Sequence, residues 1–173
     1  LGTMVANLST SKAGFEEHKD KLAKIAEKGQ ITKDELIKAI DDDTSAFDEV
    51  IKAMRMPKDT DEEKNKRNIK MQKGYQAATL VPLKTVENCR SALEVCKEIS
   101  EIMDEGMASD VGSGALMANA GAISAAYNVR INLKSINDKK FSSNTKERLD
   151  ELLDECGQIL TTVTKNVEKC LEI

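Results

Sequence analysis

Large apolar residues recur along this chain mainly at steps of three and four. Val86, Cys89, Leu93, Cys96, Ile99 and Met103 form one such stripe, and Leu149, Leu152, Leu153, Cys156, Ile159, Leu160, Val163 and Val167 another. That is the period of a helix with one face buried. Runs of β-branched residues are missing, and only two prolines and nine glycines punctuate the sequence, so strands are not expected. The pattern predicts a short helix from Gly2 to about Ser11 and a long one from Phe15 to about Met56, closed by the turn MPKDTDEE. A third helix should run from Glu62 to Glu105, a fourth from Ser109 to Leu133, and a last one from Asn144 to Leu171 after the loop KSINDKKFSS. Thr32 and Glu35 could form a capping box that splits the second helix, but the apolar stripe keeps step across Gly29, which favours one continuous helix. Pro82 lies inside the third, where it removes a backbone hydrogen bond and predicts a bend. The expected fold class is all-α, a bundle of about five long helices.

The fourth helix differs from the others. Between Val111 and Val129 it carries no charge, and Gly, Ala, Ser and Asn fill most positions. It has too few large apolar residues to span a membrane, so it is predicted to be central in the bundle and closely approached by its neighbours. Asp110 opens it, and Asn128 and Asn132 lie toward its far end. Polar groups on such a helix must be satisfied internally or kept for a ligand, since an unpartnered buried one costs about 1–3 kcal/mol. Asp110 by itself reads first as an acid near a helix N-terminus.

In the second helix, Leu36, Ile40, Phe47, Val50 and Met54 mark an inward seam with one member missing, and Asp43 fills the gap. Asp41 and Asp42 turn about 100–200° away and can face water. An acidic run is ordinarily a solvated face, and a seam aspartate can be a paired structural charge. A carboxylate among apolar side chains is also suited to proton transfer, because desolvation or a nearby cation tunes its pKa. His18, three residues after Phe15 and four before Leu22, is the sole histidine and reads as a packed helical residue. Arg55 and the run Lys64, Lys66, Arg67, Lys70 and Lys73 read as a solvated face paired with Asp61, Glu62 and Glu63 rather than as an anion guide.

Composition narrows the chemistry. The 173 residues suffice for one domain with a real core. A net charge of −4 and 3% aromatic residues, with no Trp, argue against a nucleic-acid partner. The four cysteines, Cys89, Cys96, Cys156 and Cys170, lack zinc-like spacing and suit a reducing cytoplasm, and Cys89 and Cys96, seven apart on one helix face, read as small apolar core groups. No metal site is expected, no Glu-x-x-His pair of a metal-carrying bundle occurs, and no membrane partner is expected.

Four blocks in order, MVANLS (Met4 to Ser9), DDDTSAFDEVIKAMRMPKDTDEEKNKR (Asp41 to Arg67), ATLVPL (Ala78 to Leu83) and SDVGSGALMANAGAISAAYNVRINL (Ser109 to Leu133), cover much of the chain. Together they resemble the cyclodeaminase domain of the formiminotransferase-cyclodeaminase family. The resemblance implies a single cyclodeaminase/cyclohydrolase domain over residues 1–173 and an all-helical homodimer acting on a tetrahydrofolate derivative, possibly polyglutamylated, with no further cofactor. The implied reaction is loss of ammonia from 5-formimidoyltetrahydrofolate with closure to 5,10-methenyltetrahydrofolate, or opening of that ring by water to 10-formyltetrahydrofolate. It implies the acid/base role for Asp43, the aspartate of the D-x-x-A-F segment, and substrate-binding roles for Asp110, Asn128 and Asn132. The family's first helix and Pro-Gly-Gly-Gly stretch have no counterpart before LGTMVAN, so an incomplete substrate site with low activity is expected. The alternative is a non-catalytic helical interaction module whose small-residue face docks a partner helix.

Overall fold

The computed structural model describes residues 1–172. Five α-helices account for most of them: α1 (Gly2–Ser9), α2 (Lys19–Met54), α3 (Asp61–Ser100), α4 (Glu105–Leu133) and α5 (Lys139–Cys170). A 3-10 turn over Glu16–His18 leads into α2, and no strand occurs among the described residues. Four helices are long and one is short.

Capping residues explain the ends. Thr60 and Glu63 form a reciprocal capping box that starts α3, which satisfies two of the otherwise unpaired N–H groups. Asp138 accepts from the backbone N–H groups of Lys140 and Phe141, both at 3.0 Å, and so starts α5 five residues before the expected Asn144. Asp104 holds the N-cap position of α4. Asp110 therefore lies in the second turn of α4 and does not open it. α2 is continuous through Gly29, which is buried against Thr3 of α1. His18 is half-buried at the start of α2, with its ring 6.5 Å from that of Phe15, and so belongs to the turn and not to a helical face.

α3 is the spine, touching each of the other four α-helices. α2 runs antiparallel to it: Lys28 pairs with Glu98 at 2.6 Å, while further along Val50 rests on Gly74. A Cβ at Gly74 would meet Val50 Cγ2 at 3.1 Å, so the missing side chain is what lets these two helices close up. α4 is also antiparallel to α3, with Gly114 and Gly121 against Cys96 and Cys89. α5 lies along both α3 and α4, with Arg90 bonded to Glu155 and the Asn166 amide donating to Ser100 Oγ at 2.9 Å. The backbone of α2 does not come close to that of α4 or α5.

One core draws on all five α-helices: Val86, Leu93, Ile99, Val111, Val129, Leu149, Leu152 and Val163 are fully buried on α3, α4 and α5, and Val5 of α1 with Leu22 and Ile25 of α2 extend it. Each large side chain of this set contributes about 1.5–3 kcal/mol. α4 is not enclosed as the sequence suggested. Val111, Ala115, Ala122, Ala126 and Val129 pack inward, whereas Leu116, Met117, Tyr127 and Ile131 are at least 60% exposed. Its neighbours in one chain cover only one side of it.

Candidate active site

The side of α2 that meets α3 is lined by small residues. Thr32, Val50 and Ala53 are buried and Leu36, Ala39 and Ala46 half-buried, in steps of three and four. Asp43 occupies the one remaining position of that series, between Ala39 and Ala46. The carboxylate thus shares the helical face that packs on α3, although its side chain is exposed. This corrects the expectation of a carboxylate buried in an apolar seam. The large residues assigned to the seam, Ile40, Phe47 and Met54, are 67%, 58% and 42% exposed. Bulk misled the assignment: alanines allow α2 to approach α3, and the bulky neighbours about 100° around the helix remain outside. Asp42 pairs with Lys38 at 3.7 Å on the solvent side, as expected of it.

The main cavity found among the described residues, about 620 Å³, is bounded by α1, α2 and α3 with Gly114 of α4 in its lining, and Asp43 is not one of the residues that line it. Its apolar walls come chiefly from Leu36, Ile37, Ile40 and Val95, and Gln30 and Lys33 give it polar groups. The volume is in the range that small-molecule sites occupy. Ile40 is the last α2 residue in the wall, so Asp43 follows it by less than one helical turn, about 4.5 Å along the axis.

The other three expected site residues are dispersed. Asp110 is half-buried and lines a smaller cavity with Lys12 and Met107, about 27 Å along α4 from Asn128. Asn128 is exposed and donates to the Ser124 carbonyl at 3.4 Å. Asn132 is committed to the fold: its amide donates to the Ala78 carbonyl of α3 at 2.9 Å. Pro82 has no N–H with which to meet the carbonyl four residues earlier, and Asn132 supplies the missing donor. α3 continues unbroken through Pro82. Since the backbones of α2 and α4 flank α3 without close approach, a single chain holds Asp43 apart from these asparagines.

Asn88 was not anticipated. It is 7% exposed, and its side-chain nitrogen has no hydrogen-bond partner. It belongs to the stripe Gly74, Val81, Asn88 and Val95, spaced by seven, whose two ends touch α2 and the main cavity. The spacing was visible in the sequence, but nothing there distinguished an unsatisfied amide from a satisfied one.

The basic run after Pro57 is engaged as a solvated face would be. Lys64 pairs with Asp61 at 3.0 Å, Lys66 with Glu62 at 2.8 Å, and Arg67 Nε donates to the Met54 carbonyl at 3.2 Å. Cys89, Cys96 and Cys156 are buried, Cys170 is half-buried, and all four are unpaired thiols. Burial pushes Cys96 and Cys156 up to about 11, which suppresses the reactive thiolate.

Comparison with known proteins adds to this geometry. The profile of the family described as Formiminotransferase-cyclodeaminase matches residues 1–151. A methenyltetrahydrofolate cyclohydrolase of Methylorubrum extorquens is 35% identical over 97% of this chain and 81% of that protein. A formimidoyltransferase-cyclodeaminase of Gallus gallus is 32% identical over 98% of this chain. The chain spans only 31% of that longer relative. Among solved structures, the formiminotetrahydrofolate cyclodeaminase of Thermotoga maritima superposes with a TM-score of 0.86 at 25% identity, over 97% of this chain and 80% of that one.

Proposed function

The chain belongs to the formiminotransferase-cyclodeaminase family, and from that premise we propose that it is a folate enzyme working at the carbon between N5 and N10 of tetrahydrofolate. It expels ammonia from 5-formimidoyltetrahydrofolate to close the 5,10-methenyl ring, or opens that ring with water to give 10-formyltetrahydrofolate. Relatives of comparable span bear each of these two activities in their names. The observation that carries the reading is the match over residues 1–151, a span that includes the D-x-x-A-F segment with Asp43.

Both reactions pass through a tetrahedral carbon, so one carboxylate can serve both halves. In ring closure N10 attacks the formimidoyl carbon, Asp43 accepts the N10 proton, and a proton returns to the departing nitrogen as the C–N bond breaks and ammonia leaves. The carboxylate also offsets the amidinium-like positive charge of the reacting carbon. Proton transfer and addition need no redox partner or metal, and no cofactor beyond the folate itself is proposed. Asp110 and Asn128 retain polar groups that can serve the substrate, and Asn132 keeps its amide oxygen for that purpose.

Asp43 needs a drier setting than one chain gives it. A homodimer supplies one in this reading, and it is supported by the exposed apolar residues Ile40 and Phe47 on α2 and Leu116, Met117, Ile123, Tyr127 and Ile131 on α4. Exposed apolar side chains in such number mark a surface that another protein covers. No described helix is long and apolar enough to cross a membrane, and four unpaired thiols suit a reducing compartment such as the cytoplasm. A non-catalytic interaction module would use the same apolar face, but the family favours the enzyme.

The decisive experiment offers each folate separately to the purified protein and follows methenyl absorbance. A rise with the formimidoyl substrate identifies ammonia loss, and a fall with the methenyl substrate identifies ring opening. No change with either would sink the proposal.

A further inference from the structure

The lining of the main cavity has a distinct chemistry. Of the side chains in it, only Lys33 carries a charge, and the walls around that cation are apolar: Leu36, Ile37 and Ile40 from α2, Ala92 and Val95 from α3. Two of its uncharged polar side chains are already engaged, since Thr32 donates to the Lys28 carbonyl at 2.9 Å and the Gln30 amide to the Asp34 carboxylate at 3.0 Å. A pterin, whose edges are donors and acceptors, would leave several of them unmet there. An apolar body that ends in an anion is what this lining complements.

Lys33 is available for such a partner. Its ion pair with Asp34 at 3.4 Å joins adjacent residues whose side chains are more than half exposed, a pair of the kind that contributes little, and Asp34 is also held by Gln30. Around α2, Lys33, Leu36, Ile37, Ile40 and Asp43 fall within about 120° of one another, in steps of one, three and four. Lys33 thus precedes Asp43 by about 15 Å along one stripe of the helix, with the three apolar residues between them. The contacts of Lys28 with Glu98 and of Val50 with Gly74 fix the register of α2 on α3 and set Lys33 level with Ala92. Asp43 lies beyond Ile40, the last α2 residue of the wall.

We propose that the main cavity receives the aminobenzoyl-glutamate tail of the folate, with the benzoyl ring against Leu36, Ile37 and Ile40 and the Lys33 ammonium paired with a glutamate carboxylate. This rests on the folate reading given above and divides the substrate between two places. The order along the helix matches the order along the molecule: the one-carbon bridge at Asp43, then the flat apolar ring, then the carboxylates. The polar pterin head remains outside the apolar cavity, on the Asp43 side of Ile40. A lysine is a point charge on a flexible stem, so Lys33 can follow either carboxylate of the glutamate.

The test compares tetrahydrofolate with its dimethyl ester, in which both glutamate carboxylates are capped, on the wild type, Lys33→Gln and Lys33→Arg. Lys33 is exposed, so neither substitution threatens the fold. Binding is followed by calorimetry at low and high salt, and KM and kcat by methenyl absorbance. The wild type and Lys33→Arg should prefer the free acid about 3- to 10-fold, and the preference should shrink at high salt. Lys33→Gln should bind acid and ester alike, with KM raised by the same factor and kcat nearly unchanged. Ala92→Leu, which narrows the cavity, should weaken acid and ester together. Equal affinity for acid and ester in the wild type, a preference that survives in Lys33→Gln, or wild-type affinity in a folded Ala92→Leu protein would overturn the placement of the tail and leave the folate assignment intact. Failure of the unaltered protein to bind tetrahydrofolate would overturn both.

Discussion

Asp43 makes no hydrogen bond or ion pair among the described residues and is exposed, so Asn in its place removes a charge without disturbing packing. Asp43→Asn should reduce turnover by about 10²–10⁴-fold, the usual contribution of a positioned acid or base, while the urea midpoint stays at the wild-type value. An assay paired with a denaturation curve checks both halves at once, and full activity in the variant would remove the carboxylate from the mechanism. The buried thiols make a separate prediction. Cys96 and Cys156 are raised from 9.0 to about 11, so between those pH values the unfolded chain has lost protons that the folded one keeps. Stability should be fully present below pH 9 and decline as the pH rises through about 11. Unfolding curves taken across that range test it, and Cys96→Ala should flatten the decline.

At the scale of the helices, the stitch between Asn132 and Ala78 is the informative element. Asn132→Ala leaves the Ala78 carbonyl without a donor and should cost about 1–2 kcal/mol in chemical denaturation. Replacing Pro82 by Ala restores an N–H in that position, so the cost should be smaller in the Pro82→Ala background, and a double-mutant cycle reads the difference. The proline was legible from sequence as a lost hydrogen bond, but its repair came from a residue 50 positions away, which no local pattern contains. Helix number and order were legible for the opposite reason, since periodicity is local. The ends were less so: Asp104 and Asp138 cap α4 and α5, yet each stands among other polar residues that could have served. The angular place of Asp43 on α2 followed from spacing, whereas its exposure depended on whether alanines or large residues faced α3. Periodicity alone does not decide that.

For the whole molecule, the question is what covers α4. The sequence correctly marked this helix as made for close approach, but a single chain supplies neighbours on one side only. Met117 is 70% exposed, and a glutamate there should cost little in an isolated chain. In a symmetric dimer it would set like charges in a desolvated interface on both subunits. Met117→Glu should therefore sediment as a monomer at concentrations where the wild type is paired, and its turnover should fall although Asp43 is intact. A wild type that is monomeric at micromolar concentration would argue against the dimer.

The bare flank of α4 makes heat resistance a matter of mass action. If association is what shields it, the melting point will climb as the solution is concentrated, with each tenfold change in protein shifting the balance by about 1.4 kcal/mol per mole of dimer. Dilute samples will then soften early and lose turnover together, and two laboratories working at different stock strengths would report two different enzymes.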